Sequence, residues 1–236
     1  MFRRKRNVLN RSKLRDVVLL SCFASALVYG VSSISITVGF VMLVSGCFLH
    51  VVAKGILIRN IVLCNRGLYK VVRHPYYLAN YLIDSSFCVL SGNPYLLLVY
   101  PFLFFWAYGP TLRTEEGLLN ERYGAAFLND SFMIPQVFPD VASVKGLRKL
   151  FDGFSLKRIT AKECSRVARF ASMGFAITLI HELKREGLSG LKHLLIPTRH
   201  DYDEFIFVLV TITLLFLGLV FAQVANNNSA GTVRRP

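Results

Sequence analysis

Charge-free stretches and short polar interruptions alternate along most of the chain. From Val17 to Ala53 there is no Asp, Glu, Lys or Arg. That run exceeds the roughly 20 residues of a single membrane span, and the Gly30–Ser33 region offers a turn, so it predicts two helices. Pro75 to Gly92 is apolar apart from Asn80 and Asp84. Ser91, Gly92, Asn93 and Pro94 are turn formers, and Pro94 to Leu112 is apolar again, which predicts a second helical hairpin with a proline bend at Pro101. Residues 113–139 read as polar and irregular. Between Asp140 and Glu204 the composition is mixed. There Thr160-Ala161-Lys162-Glu163 fits a capping box, and Val167, Phe170, Ala171, Phe175, Leu179 and Leu183 recur at helical spacing. Their apolar stretch is too short to span, so this helix is expected to lie on the membrane or pack on the core. Phe205 to Ala225 is uncharged and suits a fifth span, and Asn226–Pro236 reads as a disordered tail. No internal repeat is evident.

The pattern predicts an all-α fold: a polytopic membrane helical bundle of about five transmembrane helices, with cytosolic or interfacial amphipathic helices. Its segments are a basic cytosolic tail (1–16), a membrane core of four spans plus a lid (17–139), a cytosolic or interfacial helical segment (140–203), the fifth span (204–225) and the tail (226–236). Composition agrees. The 236 residues are 53% hydrophobic and 18% charged, with a mean hydropathy of +0.46, on the lipid side of soluble domains. With 19 Phe and 10 Tyr, disorder of the whole chain is excluded.

A net charge of +14 raises the question of a nucleic-acid partner. The cations instead crowd into Arg3–Arg15 and Lys54–Arg73, flanking apolar runs, as the positive-inside rule and anionic lipid require. No nucleic acid is expected. The same rule places the N-terminus, Lys54–Arg73 and the residues after Arg113 in the cytosol. An uncleaved anchor is favoured over a signal peptide, because the first apolar run continues too far. A bacterial inner membrane is favoured over the endoplasmic reticulum. Five cysteines form no CxxC, and Cys22, Cys47 and Cys88 sit in apolar runs, so buried thiols are expected, with no disulfide framework and no metal.

Two polar motifs stand at the predicted mouths of the second hairpin. The first runs Gly67-Leu68-Tyr69-Lys70-Val71-Val72-Arg73-His74-Pro75-Tyr76-Tyr77; the second starts Arg113-Thr114-Glu115-Glu116 and runs on to Tyr123-Gly124 and Ile134-Pro135. A short turn makes the two helices antiparallel neighbours, which brings Arg73 and His74 beside Glu115 and Glu116. Cations beside carboxylates form a site able to hold a zwitterion. Against this stands a structural reading. Charged residues at span ends are commonly interface anchors, a description that suits Glu121 and Arg122 better. His74 before Pro75 can simply end an extended segment. Asp84 within a span is either paired in the bundle or functional.

These motifs resemble those of the isoprenylcysteine carboxyl methyltransferases and their phospholipid methyltransferase relatives. The family pattern is roughly G-x-Y-R/K-x-x-R-H-P-x-Y-x-G, a helical hairpin, then E-E-x-x-L-x-x-x-F/Y-G-x-x-Y-x-x-Y-x-x-x-V/I-P. Gly67, Tyr69, Lys70, Arg73, His74, Pro75 and Tyr77 match the first part; Glu115, Glu116, Leu119, Tyr123, Gly124, Ile134 and Pro135 match the second. Ala79, Phe127 and Asp130 depart from it. The resemblance implies methyl transfer from S-adenosylmethionine to a lipophilic acceptor, a hydrophobic small molecule or lipid, at the cytosolic face. It implies that Tyr69, Arg73, His74, Pro75, Tyr77, Glu115 and Glu116 bind the cofactor: Arg73 and His74 its carboxylate, Glu115 and Glu116 its ammonium or ribose hydroxyls, and Tyr77 its adenosine. Arg113 is the candidate for orienting an anionic acceptor, and Glu116 or His74 for a base where the acceptor is an amine. Oxygen, nitrogen and sulfur acceptors all stay open, as does an inactive membrane interaction protein on the same scaffold.

Overall fold

The computed structural model describes residues 11–57, 64–195 and 202–233. The expected basic tail before Arg11, loop residues 58–63 and the Asp130 side chain lie outside the described set. Every helix and turn in it belongs to an all-helical chain: α1 (Arg11–Val28), α2 (Ser33–Ile56), α3 (Pro75–Leu90), α4 (Pro94–Tyr123), α5 (Ala125–Met133), α6 (Ala161–Leu195) and α7 (Tyr202–Val233). Short 3-10 turns occupy Gly67–Lys70, Ser143–Lys149 and Leu156–Arg158. Both predicted turns form and α3 pairs with α4, but α1 packs on α3, α4 and α6 rather than on α2, so the first helix pair is splayed and not a closed hairpin. Local chemistry sets the helix ends. Ser32 caps α2 by accepting from the Ser35 amide (3.1 Å), and Asn93 caps α4 by accepting from the Tyr95 amide (3.0 Å). Pro75 and Pro94 stand in the first turns of α3 and α4, where a missing N–H costs nothing. Gly92 has φ +71°, and a Cβ there would strike the Gly30 carbonyl, so the two inter-helix turns approach where only glycine fits, and Asn93 Nδ2 donates to Ser25 Oγ (3.0 Å) beside them.

Glycines also set the close approach of α2 and α3. A Cβ at Gly39 would lie 2.6 Å from the Leu90 side chain, and one at Gly46 would lie 2.7 Å from Ile83 and 3.1 Å from the Ala79 carbonyl. Small residues let α2 and α3 approach as membrane helices commonly do. Helix α4 turns Tyr100, Phe104, Tyr108 and Leu112 inward, one per turn, and all four are buried. Its opposite face is bare: Phe102 is 74% and Trp106 64% exposed, as are Val44 of α2 (65%) and Leu219 of α7 (70%). Among the described residues two helices, α2 and α4, are long and apolar enough to cross a membrane.

Three expectations need correction. Residues 113–133 are helical, not irregular: α4 runs on through Tyr123, and α5 follows after Gly124, which ends α4 at φ +50°. Beyond the charge-free part of α4, residues such as Glu115, Glu116, Leu118 and Leu119 are good helix formers and simply extend it. Second, α7 reaches Val233, so most of the expected tail is helix. Third, α6 packs on the core, one of its two expected placements, but it does not stay at one end. Its first turn meets His50 and Lys54 near the basic end of α2. Further along, Gly174 packs on Leu43. At the far end His181 Nε2 lies 3.0 Å from the Leu90 carbonyl, and Lys184 donates to the Val28 carbonyl (2.8 Å). Helix α6 therefore traverses the bundle, and Lys184 sits by the α1–α2 turn rather than on the side expected for residues 113–204. Helix α7 packs along it, with Ser165 donating to the Gly218 carbonyl (2.8 Å).

Candidate active site at the mouth of the second hairpin

The approach to α3 is extended because Pro75 drives His74 out of the helical region, to φ −122° and ψ 65°. Its exposed amides find a partner strap. Arg73 N–H donates to the Pro135 carbonyl and His74 N–H to the Gln136 carbonyl, both at 2.9 Å. After this clamp Val137 is buried, and the Phe138 ring closes on Tyr81 (4.9 Å between centroids) and Phe105 (5.9 Å). Residues 135–138 thus lace the start of α3 to the flank of α4.

Four ionisable side chains meet beside this strap. Arg73 Nη1 lies 2.9 Å from Glu116 Oε1, and His74 Nε2 lies 3.3 Å from the same oxygen. His74 Nδ1 faces Glu115 Oε2 at 3.9 Å, while the Tyr77 hydroxyl donates to Glu115 Oε1 at 2.8 Å. The imidazole therefore stands between two carboxylates. The Arg73 guanidinium lies 5.7 Å from the centre of the Phe127 ring, a cation–π contact. Tyr77 packs edge-on to His74 and Tyr108, at 5.6 and 5.4 Å. Burial pushes the Glu116 carboxyl up, but the His74 hydrogen bond and the Arg73 charge outweigh it and hold the group below its ordinary range, with the Gln136 side chain adding to them. Glu116 is therefore an ionised anchor for the Arg73 guanidinium and a hydrogen-bond partner of the His74 imidazole.

The structure brings together Arg73, His74, Tyr77, Glu115 and Glu116, with Pro75 starting the helix that carries two of them. It places Tyr69 elsewhere: that side chain is buried, and its hydroxyl donates to the Ala53 carbonyl of α2 (3.4 Å). Arg113 is exposed one turn before Glu116, and no ion pair joins it to the cluster among the described residues. Phe127, a departure from the family pattern, is buried against Arg73. Gln136 was missed by sequence reasoning; its only signal is its place just after Ile134-Pro135.

Two further polar networks lie outside this cluster, and sequence reasoning reached only Asp84 among their members. Arg15 reaches into the bundle, donating to Asp84 Oδ1 (2.7 Å) and to Asn80 Oδ1 (3.0 Å), while Tyr100 donates to Asp84 Oδ2 (2.9 Å). Asp84 is thus a helix-pairing group. At the basic end, Glu163 Oε2 lies 3.0 Å from His50 Nε2 and 3.0 Å from Arg166 Nη1, with Lys54 Nζ 3.4 Å from Oε1. Burial raises this carboxyl, but the His50 hydrogen bond and the Arg166, His50 and Lys54 charges prevail and bring it to about 2. The capping-box glutamate is spent on α2, not on its own helix start. No family model, no curated protein and no solved structure matches the chain.

Proposed function

We propose that this chain is a multi-pass integral-membrane methyltransferase that uses S-adenosylmethionine, most like the isoprenylcysteine carboxyl O-methyltransferases. The observation that carries this reading is the convergence of Arg73, His74, Glu115 and Glu116 from the start of α3 and the end of α4 at one mouth. An outward belt of apolar side chains on α2, α4 and α7 supports the membrane setting, since patches of this extent are not left in water. Helices α1, α3 and α6 run with α2 and α4 in the same bundle.

The residues present fit the amino-acid end of such a cofactor. Arg73 Nε is a buried donor with no hydrogen-bond partner among the described residues, suited to a carboxylate. Glu115, 41% exposed, presents a carboxylate suited to an ammonium or to ribose hydroxyls. When bound, the cofactor supplies an activated methyl group on a sulfonium. The chain's own task is to align that group with the acceptor and exclude water. Glu116 fixes Arg73 and His74, Tyr77 fixes Glu115, and the strap at 135–138 covers the mouth. Arg113, on the exposed side of Glu116, is placed to meet an anionic acceptor headgroup. The test is incubation of the purified protein with methyl-labelled S-adenosylmethionine and a total lipid extract. Label in an apolar product is the expected result; no label in any fraction, from protein that does not bind the cofactor, overturns the reading.

A further inference from the structure

We infer that the arch from Lys145 to Lys157 and the adjoining face of α2 form a binding site for one anionic phospholipid. The arch is fixed, not loose. Arg158 donates to the Gly55 and Ile56 carbonyls at the end of α2 (3.0 Å each), Ser155 N–H donates to Gly55 (3.0 Å), and Phe154 lies over Gly55. Gly146 packs on Val71, where a Cβ would come within 3.2 Å. On this frame the residues Leu147 to Asp152 line an open concavity of about 560 Å³. Arg148 and Lys149 stand exposed on it, and Asp152 is the one carboxylate in its wall. Lys145 and Lys157 add exposed positive charge on either side.

Apolar side chains share this basic surface. Leu147 is 45%, Phe151 55% and Leu156 73% exposed. The decisive contact is Phe151 on Phe48, with ring centroids 6.0 Å apart at 81°. Phe48 ends a stripe on α2 in which Val38, Val41 and Val44 are also exposed, at helical spacing. The concavity and the stripe are therefore continuous. A phosphate held by Arg148 and Lys149 leaves its acyl chains against Val44 and Val41, with Phe151 and Phe48 at the junction. Neither half suffices alone: free phosphate leaves the stripe bare, and a neutral lipid leaves the cations unmatched. This site is independent of the chemistry at the α3–α4 mouth.

The test uses the full chain in detergent, with lipid adducts counted by native mass spectrometry. Phosphatidylglycerol should bind well above phosphatidylcholine of the same acyl chains. Interfacial cations contribute about 1 kcal/mol each, so the R148E/K149E double variant should weaken phosphatidylglycerol binding by roughly 30-fold or more. That variant should weaken phosphatidylcholine far less, because the choline cation already offsets its phosphate charge. The R148Q/K149Q variant, judged by unchanged helix content, replaces the reversal if the latter fails to fold. F48A/F151A should weaken both lipids, and R185E at the far end neither. Equal binding of the two lipids, or full phosphatidylglycerol binding by R148Q/K149Q, overturns the proposal. So does displacement of the lipid by an equal concentration of glycerol phosphate, which would mark a simple phosphate site.

Discussion

Arg15 Nε and Asp84 Oδ1 meet 2.7 Å apart between α1 and α3, with the Asp84 side chain only 1% exposed. The pair ties α1 to the second hairpin, and Tyr100 brings α4 to the same carboxylate. Burying a lone charge costs far more than burying a matched pair. Asp84→Ala leaves Arg15 facing Asn80 and Phe170 without its counter-charge. It should destabilise the bundle by about 3–5 kcal/mol. The R15M/D84L double variant should recover most of that loss. Thermal unfolding in detergent reads both; a fully stable D84A protein would show that the pair holds nothing together.

Glu163 gives a pH dependence with a definite sign. Its carboxyl sits at about 2 in the fold against an ordinary value of 4.5. A depressed acid stabilises the folded state above the ordinary value and loses that contribution as pH falls toward the folded one. The melting temperature of the wild-type protein should therefore drop between pH 4.5 and 2. Glu163→Gln should start lower at neutral pH and fall less steeply across that window. Parallel curves for the two proteins would rule out Glu163 as the source.

Much of this architecture is legible because apolar runs and turn formers are local signals. The breaks at Gly30–Ser33 and Ser91–Pro94 fall where Ser32 and Asn93 cap the next helices. The meeting of these ionisable residues is legible too, since a hairpin with a short turn must return Glu115 and Glu116 near Arg73 and His74. What stayed hidden depends on distant partners. Arg15 belongs by spacing to a basic tail, and only Asp84 draws it inward. The apolar stretch of α6 reads as too short to span, which leaves its path through the bundle unannounced. Yet Ser172 and Thr178 spend their hydroxyls on the Ala168 and Gly174 carbonyls (2.7 and 3.1 Å), and His181 reaches Leu90, so its polar groups are satisfied within the bundle. The His50–Glu163 contact spans too much chain for any local pattern to announce it.

The glycines of the bundle separate packing from propensity. A Cβ at Gly46 would meet Ile83 at 2.7 Å and backbone atoms of α3 at 3.1 Å, so the helix itself must move. Gly46→Ala should cost about 1–3 kcal/mol by overpacking. At Gly117, on α4 beside Glu116, a Cβ meets nothing within 4 Å. Gly117→Ala should stabilise by about 0.5–1 kcal/mol through helix propensity alone. Chemical or thermal unfolding of the two variants should move in opposite directions, and a stabilised Gly46→Ala would contradict the close α2–α3 approach.

The mouth itself gives the sharpest test, because its residues divide by what they should affect. Arg73→Ala removes the half-buried guanidinium along with its contact to Glu116 and Phe127. A charge-assisted hydrogen bond contributes about 1.5–3 kcal/mol, so affinity for S-adenosylmethionine should fall by roughly 10–150-fold. Glu116→Ala should do the same through loss of the anchor for both Arg73 and His74. Tyr77→Phe removes only the 2.8 Å bond to Glu115, keeps the ring packed on Tyr108, and should weaken the cofactor by about 10-fold. Arg113 lies outside the cluster, so Arg113→Ala should leave cofactor affinity within about twofold and instead raise KM for an anionic acceptor. Calorimetry with S-adenosylmethionine and its demethylated product separates these outcomes, and Gly117→Ala serves as the folded control. Unchanged affinity in both Arg73→Ala and Glu116→Ala would remove the cofactor from this mouth, whatever their stability.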